Sequence, residues 1–241
     1  LHLLLDYSSF GQEVAPPWPM GEDGRVTLIT AVVLAAGRGS RMGAPKALLT
    51  HPVTCRSLVE EAVCRLTTAG LSTVVVVTGA AGDEVEATML SGAWARECAL
   101  RQPCTVHLAP CPDWADGMGA SLRAGLAAAE SAAPESVAAV VALVDLPDVT
   151  SAVIERVCRE AGSQPTGATT ESLARAAYGG IPGHPVLLGR AHWTGVQRAA
   201  VGDQGARGYL QGRDVRLIEC GDLATGADVD TQAEWTRMMD P

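Results

Sequence analysis

No stretch of the sequence approaches the roughly 18 uninterrupted apolar residues that a membrane-crossing helix needs, so a bilayer-spanning helix is not expected. Positive charge is also short: 18 Lys and Arg stand against 27 Asp and Glu, a formal net charge of −9. A surface that tracks nucleic-acid phosphates needs a cationic face, so neither nucleic acid nor a membrane is an expected partner. The seven cysteines (Cys55, Cys64, Cys98, Cys104, Cys111, Cys158 and Cys220) are scattered, with no C-x-x-C pair. That removes the ligand spacing of a structural zinc site and predicts reduced thiols. Leu1–Leu5 is apolar but short, is followed by Asp6, and lacks a basic flank and a small-residue cleavage site. No export signal is therefore expected, and a cytoplasmic location is. Gly and Pro, 26 and 14 residues, fall below the level of a disordered chain.

What remains is a chain of 241 residues, 47% hydrophobic and 19% charged, long enough to bury one sizeable core. Residues 1–25 end in Pro16-Pro17-Trp18-Pro19 and the Gly21–Gly24 stretch, punctuation that reads as a loosely ordered N-terminal arm. From residue 26 to 241, apolar runs of strand length alternate with helix-like segments, the signature of βαβ units feeding a mostly parallel sheet with helices on both faces. Strands are expected at Leu28–Ala35, Thr73–Val77, Thr105–Leu108, Val137–Val144, Pro185–Leu188 and Val215–Glu219. Helices are expected at Cys55–Ala69, Asp83–Leu90, Ser121–Ala132, Ser151–Glu160, Arg190–Val201 and Thr231–Met239, with Thr54, Thr150 or Ser151, and Asp230 or Thr231 as N-caps. Gly162–Gly183, rich in Gly, Thr and Pro, reads as irregular connections or short antiparallel strands at one sheet edge.

The most informative segment is LAAGRGSRMGAPK, Leu34–Lys46. A β-branched strand runs directly into small residues, glycines and cations. After Leu34, the small residues Ala35, Ala36, Gly37 and Gly39 let backbone N–H groups approach phosphate oxygens, which makes Leu34–Gly37 and Gly39 nucleotide-binding candidates, and Arg41 and Lys46 can neutralise a triphosphate. Two familiar glycine motifs fail by counting. Gly37, Gly39 and Gly43 read G-x-G-x-x-x-G, one residue too long for a dinucleotide fingerprint, which argues against a dehydrogenase. Lys46 follows Pro45 and precedes Ala47, which is not the Gly-Lys-Ser/Thr close of a P-loop.

LAAGxGxRMGxxK resembles the signature of the MobA-like nucleotidyltransferases, a family that includes the molybdenum-cofactor cytidylyl- and guanylyltransferases and the sugar-phosphate nucleotidyltransferases. The resemblance continues through VVVVTGA (Val74–Ala80), GMGASLRAGL (Gly117–Leu126), LVDLPDVT (Leu143–Thr150), GHPVLL (Gly183–Leu188), GDQGARGYL (Gly202–Leu210) and DVDT (Asp228–Thr231). It covers about residues 28–239 and is most similar to the cytidylyltransferase branch. It implies a single-domain, Rossmann-like α/β fold of the nucleotide-diphospho-sugar transferase type. The implied reaction moves a nucleoside monophosphate from a nucleoside triphosphate, CTP before GTP, to a phosphorylated acceptor, the molybdopterin cofactor. The resemblance further implies pyrophosphate release, a Mg²⁺ requirement and a transient molybdoenzyme-maturation partner. Guanylyl transfer to the same cofactor, transfer to a sugar phosphate or small acid, and a non-catalytic nucleotide sensor or cofactor chaperone are the competing readings.

Asp145 closes the run Val137–Val144, so it is expected at the C-terminal end of a buried strand, where open parallel sheets place their ligand crevice. Its carboxylate suits Mg²⁺, which takes one or two carboxylates together with phosphate oxygens and water. Asp230 or Asp228 is the second metal carboxylate; alternation in an extended DVD segment puts both on one side and does not choose between them. A helix N-cap is the competing role for Asp230. With an attacking phosphate already anionic, no general base is needed, and catalysis falls to Arg41, Lys46, Asp145 and the loop amides. Ser121 and Arg123 begin a helix that the resemblance places near the nucleotide, and Gly79 is a backbone-contact candidate after its strand. His184, between Gly183 and Pro185, is an acceptor-binding candidate. Trp114 and Trp193 are candidates to stack on a ring, with packing the favoured role. The chain departs from the family pattern at Gly39 and Gly119, where many relatives carry serine, and at Gln232, where proline is common.

Overall fold

The computed structural model describes residues 3–6, 27–40, 42–92, 94–95, 103–162 and 167–239. Eight strands form one sheet: β1 (Leu3–Asp6), β2 (Ile29–Leu34), β3 (Thr73–Thr78), β4 (Thr105–Pro110), β5 (Ala138–Leu143), β6 (Leu173–Tyr178), β7 (Ile181–Gly189) and β8 (Arg216–Glu219). Their order is β1-β4-β3-β2-β5-β7-β6-β8. β4, β3, β2 and β5 run parallel, while β7 pairs antiparallel with both β5 and β6. β2, β3 and β5 consist largely of Val, Ala, Ile and Leu because both faces are covered, which removes the polar alternation of a one-sided sheet.

Seven helices are described: α1 (Leu58–Thr68), α2 (Gly82–Ser91), α3 (Met118–Ala132), α4 (Ser151–Glu160), α5 (Trp193–Ala199), α6 (Arg207–Leu210) and α7 (Gln232–Met239). Successive strand residues point to opposite faces and divide the core accordingly. Ala31, Val33, Val74 and Val76 pack with α1, α2 and α4, whereas Val32, Leu34, Val75 and Val77 pack with α3, α5 and α6. α3 lies unusually close to the sheet because Gly125 has no side chain. A Cβ there would stand 2.5 Å from a Val32 methyl and 2.9 Å from a Val77 methyl.

Several local expectations change. Four residues of the expected loose arm, Leu3–Asp6, instead pair antiparallel with β4 at the sheet edge; residues 7–26 lie outside the described residues. α1 is capped by Ser57, not Thr54: the Ser57 hydroxyl accepts from the Glu60 N–H, and the Glu60 carboxylate accepts from the Ser57 N–H. This reciprocal capping box was visible in the spacing Ser57-x-x-Glu60. Thr150 precedes α4 without a side-chain cap bond. α3 starts at Met118, three residues earlier than expected, after Gly117 in a left-handed conformation. Within Gly162–Gly183 the antiparallel-strand alternative holds: Leu173–Tyr178 is β6, paired antiparallel with β7. Cys55, Cys104, Cys111, Cys158 and Cys220 are free thiols, as expected, but Cys64 is disulfide-bonded. Among the described residues no helix is long and apolar enough to cross a membrane.

Candidate active site

β2 and β5 are neighbours in space, and from them the chain turns away in opposite directions: β2 leads towards β3 and β5 towards the β7 side. A crevice opens at such a switch point beyond the C-terminal strand ends. Here it is a cleft of about 380 Å³, lined on one side by the loop after β2 and on the other by Leu143, Val144 and Asp145 after β5.

The loop is held from behind. The Ala35 N–H donates to the Val77 carbonyl at 3.0 Å, the Ala80 N–H donates to the Ala36 carbonyl at 3.0 Å, and the Met42 N–H donates to the Gly39 carbonyl at 2.9 Å. Gly79 serves this packing rather than the cleft wall: a Cβ there would lie 2.6 Å from the Ala36 carbonyl oxygen and 2.7 Å from the Trp114 Cβ. Gly39 has φ +65°, and a side chain on it would collide with the Ala44 carbonyl oxygen, so serine has no room at this position. Gly119 is likewise committed to packing, because its Cβ would stand 2.8 Å from the backbone of Ala200 and Val201. Gly37, by contrast, is exposed and meets nothing within 4 Å, leaving open backbone on the cleft.

Lys46 opens a single 3-10 turn, Lys46–Leu48, and its Nζ donates to Asp145 Oδ2 at 2.9 Å and to Asp230 Oδ1 at 2.6 Å. Burial works against the ammonium, but the bonds to Asp230 and Asp145 and their charges outweigh it and hold the lysine pKa above its ordinary value. Backbone pairing fixes the two acids: the Val229 N–H donates to the Asp145 carbonyl at 3.0 Å. Val229 and Trp235 also pack with Met42 and Leu58, tying the Asp230 segment and α7 to the glycine loop. The helix cap role falls to Thr231, whose hydroxyl accepts from the Glu234 N–H while the Glu234 carboxylate accepts from the N–H groups of Asp230 and Thr231. The Asp230 carboxylate is thereby available to Lys46. Asp228 is exposed to solvent.

Of the residues singled out from sequence, Leu34, Ala35, Ala36, Gly37, Gly39, Lys46, Ser121 and Asp145 line the cleft. Asp230 joins them through Lys46. Arg123 does not line it and donates to the Ala200 carbonyl oxygen. His184 lies on β7, half-buried; burial first, then the charges of Arg175 and Arg207, push its pKa down to about 4 against the opposing pull of Asp145. Arg41 lies outside the described residues. Trp193 is a core residue, fully buried, with its indole N–H on the Leu188 carbonyl at 2.8 Å. Trp114 does reach the cleft, where the Arg38 guanidinium stands 5.1 Å from the ring centre. Arg38 and Asp203, also on the cleft wall, had no role in the sequence reading; both sit inside the recognised segments, which was the available signal.

Among the described residues no three His, Cys, Asp or Glu side chains gather as a metal site. Two carboxylates that converge on one ammonium are nonetheless arranged for a cation. With phosphate oxygens and waters completing the shell, they match the donor set Mg²⁺ and Mn²⁺ accept.

A parallel sheet with a small-residue loop and two acids at its switch point defines a nucleotide-handling α/β protein. The chain belongs to the MobA-like NTP transferase family: residues 31–217 match that domain, and the protein is thus a nucleotidyltransferase by family. It is similar to the nicotine blue oxidoreductase of Paenarthrobacter nicotinovorans, 33% identical over 221 residues, or 88% of this chain and 96% of that one. Rv0371c of Mycobacterium tuberculosis H37Rv superposes with a TM-score of 0.67 at 27% identity, covering 89% of this chain and 99% of its own. That protein has also been solved with manganese, at TM-score 0.63, 26% identity and the same coverage. Molybdopterin-guanine dinucleotide biosynthesis protein A of Archaeoglobus fulgidus shares the fold, at TM-score 0.57 and 19% identity over 88% of this chain and 97% of its own.

Proposed function

We propose that residues 26–241 form one catalytic domain that transfers a nucleoside monophosphate from CTP to a phosphorylated acceptor of the molybdopterin type, releasing pyrophosphate. The observation that carries this reading is the Asp145–Lys46–Asp230 bridge beside the glycine loop. Asp145 and Asp230 are the residues that would hold Mg²⁺, which when bound spreads the charge of the phosphate oxygens. Rv0371c, solved with manganese, supports a divalent ion here and makes Mn²⁺ the natural comparison in any assay.

The residues of the chain divide the remaining work. Amides of the open Gly37 stretch and the Lys46 ammonium face the triphosphate and neutralise the charge that grows on the leaving pyrophosphate. Trp114 and Arg38 give the cleft a flat wall beside that loop. The acceptor's phosphate oxygen attacks the α-phosphorus in line; it is already ionised at neutral pH, so no side chain has to remove a proton.

Purified protein is tested by thermal shift with Mg²⁺ and each of CTP, GTP, ATP and UTP. A bound nucleotide at about 100 times its Kd adds roughly 2.7 kcal/mol, and CTP is expected to give the largest shift. Pyrophosphate release with acceptor then follows turnover. A larger response to GTP moves the assignment to guanylyl transfer, and no response to any of the four overturns the reading.

The relative named nicotine blue oxidoreductase motivates one second reading, reduction by a nicotinamide cofactor. The loop's G-x-G-x-x-x-G spacing speaks against it. An NADH and NADPH arm in the same thermal-shift series decides the matter: stabilisation by either without stabilisation by nucleoside triphosphates favours the oxidoreductase.

A further inference from the structure

On the β7 side of Asp145, away from the glycine loop, three elements bring together Arg175, His184 and Arg207. β7 pairs with β5 through Val141 and Val186, so its first half, Ile181–His184, runs past the end of β5 towards the level of Asp145. Arg175 on β6 pairs with Val186 and donates through Nε and Nη2 to the Gly183 carbonyl at 3.1 and 3.0 Å. The Tyr178 hydroxyl donates to the His184 carbonyl at 2.7 Å, fixing the same turn of backbone. By strand alternation Arg175 shares the face of Leu173 and Val186, which is the face that carries α6 and its first residue, Arg207, and the charges of both arginines act on His184. Asp203, four residues before Arg207, lies on the cleft wall with Asp145, and the Asp145 charge acts on His184.

Neither Arg175 nor Arg207 has an ion pair with a carboxylate among the described residues. Arg175 is half-buried, and after burial itself the charge of Arg207 is what lowers its pKa further, so the two guanidiniums feel each other. A half-buried cation beside a second cation is unfavourable until an anion joins them. Guanidinium forks are suited to phosphate, which accepts two parallel N–H bonds, and Nη1 of Arg175 is not engaged by the Gly183 carbonyl.

We propose that Arg175 and Arg207, with the His184 ring beside them, form the subsite that binds the phosphate group of the acceptor, across Asp145 from the loop that takes the nucleotide. This assignment rests on the nucleotidyl-transfer reading, since it is that reaction which needs a second phosphate site on the far side of the metal-binding acids.

Inorganic phosphate is the probe, titrated calorimetrically into the protein alone and into the protein with CTP and Mg²⁺, with acetate as competitor. The variants are Arg207→Gln, at an exposed position, and Arg175→Lys, which keeps the charge and removes the fork. Each variant is expected to weaken phosphate binding by at least about tenfold while CTP affinity stays within about twofold, and acetate is expected not to compete. Phosphate affinity unchanged in both variants, no phosphate binding by the wild type, or equal competition by acetate overturns the proposal. So does a loss of CTP affinity that matches the loss of phosphate affinity, which would assign the cluster to the nucleotide. If phosphate binding depends on both arginines while no nucleoside triphosphate binds, the anion site stands and the nucleotidyl-transfer reading falls.

Discussion

Replacing Lys46 by methionine separates the structural and chemical roles of the bridge at the site. The lysine Nζ lies 2.9 Å from one carboxylate oxygen and 2.6 Å from the other. Those oxygens are therefore at most about 5.5 Å apart, where two unit charges repel by about 3 kcal/mol at an effective dielectric of about 20. Solvent reaches both acids, whose side chains are 22% and 35% exposed, and this screening trims the repulsion to about 1–2 kcal/mol. Adding a lost charge-assisted hydrogen bond, we expect Lys46→Met to lower stability by roughly 2–3 kcal/mol in metal-free buffer. The raised lysine pKa puts this contribution at full strength below the ordinary lysine value, about 10.4. It is lost only as pH rises through the folded-state value, so it is constant across neutral pH.

A divalent ion then discriminates. In the wild type it must displace the ammonium, whereas in Lys46→Met it meets two carboxylates with no ammonium between them. Urea midpoints measured with EDTA and with millimolar Mg²⁺ or Mn²⁺ should rise more for the variant than for the wild type, recovering most of the deficit. Adding Asp145→Asn should be less than additive with Lys46→Met, by about 1–2 kcal/mol. Turnover should remain depressed by about 10²–10³-fold even when metal restores stability, because on the proposed reading Lys46 supplies the charge that faces the pyrophosphate. A variant as stable as the wild type without metal, or one whose midpoint responds to metal no more than the wild type's, would refute the reasoning.

Two further outcomes follow from the loop and from His184. Gly37→Ala should keep stability within about 0.5 kcal/mol yet weaken nucleotide binding, because its Cβ meets only the open cleft. Gly39→Ala should cost roughly 2–4 kcal/mol, from the left-handed backbone and the collision with the Ala44 carbonyl; urea melts with nucleotide titrations check both, and equal stability of the two variants would contradict the loop geometry. His184 titrates near 4 in the folded chain, against an ordinary value of 6.5, so the unfolded chain takes up a proton first as pH falls. Its contribution is complete above 6.5 and declines between 6.5 and about 4. From pH 7 to pH 5 the wild type should lose up to about 2 kcal/mol more than His184→Gln, and parallel losses in the two proteins would show that the ring is not held neutral.

Legibility varied with the range of the interaction. The glycine loop and Asp145 could be found because each lies within one strand-turn unit, where residue type and order carry the chemistry. The central strands were visible as unbroken Val, Ala and Leu runs, whereas β6 was expected only as one alternative for an edge stretch: LARAAY has neither β-branched residues nor alternation, and its place is decided by the pairing with β7 and β8. β1 is only four residues long and carries no periodicity of its own. The choice between Asp228 and Asp230 was undecidable from alternation. The tertiary structure puts Asp230, not Asp228, on Lys46, through the Val229–Asp145 backbone bond and the cap at Thr231, both of which depend on where the final segment docks.

The order of residues by itself determined the alternation of strands and helices, the open turn after β2, and the candidacy of Lys46, Asp145 and Asp230, since propensity, burial pattern and donor type are local properties. Tertiary structure alone decided that Lys46 meets Asp145 across 99 residues and Asp230 across 184. It also decided that the charges of Arg175 and Arg207 both act on His184. Charges separated by such lengths of chain become neighbours only when the sheet sets their strands side by side.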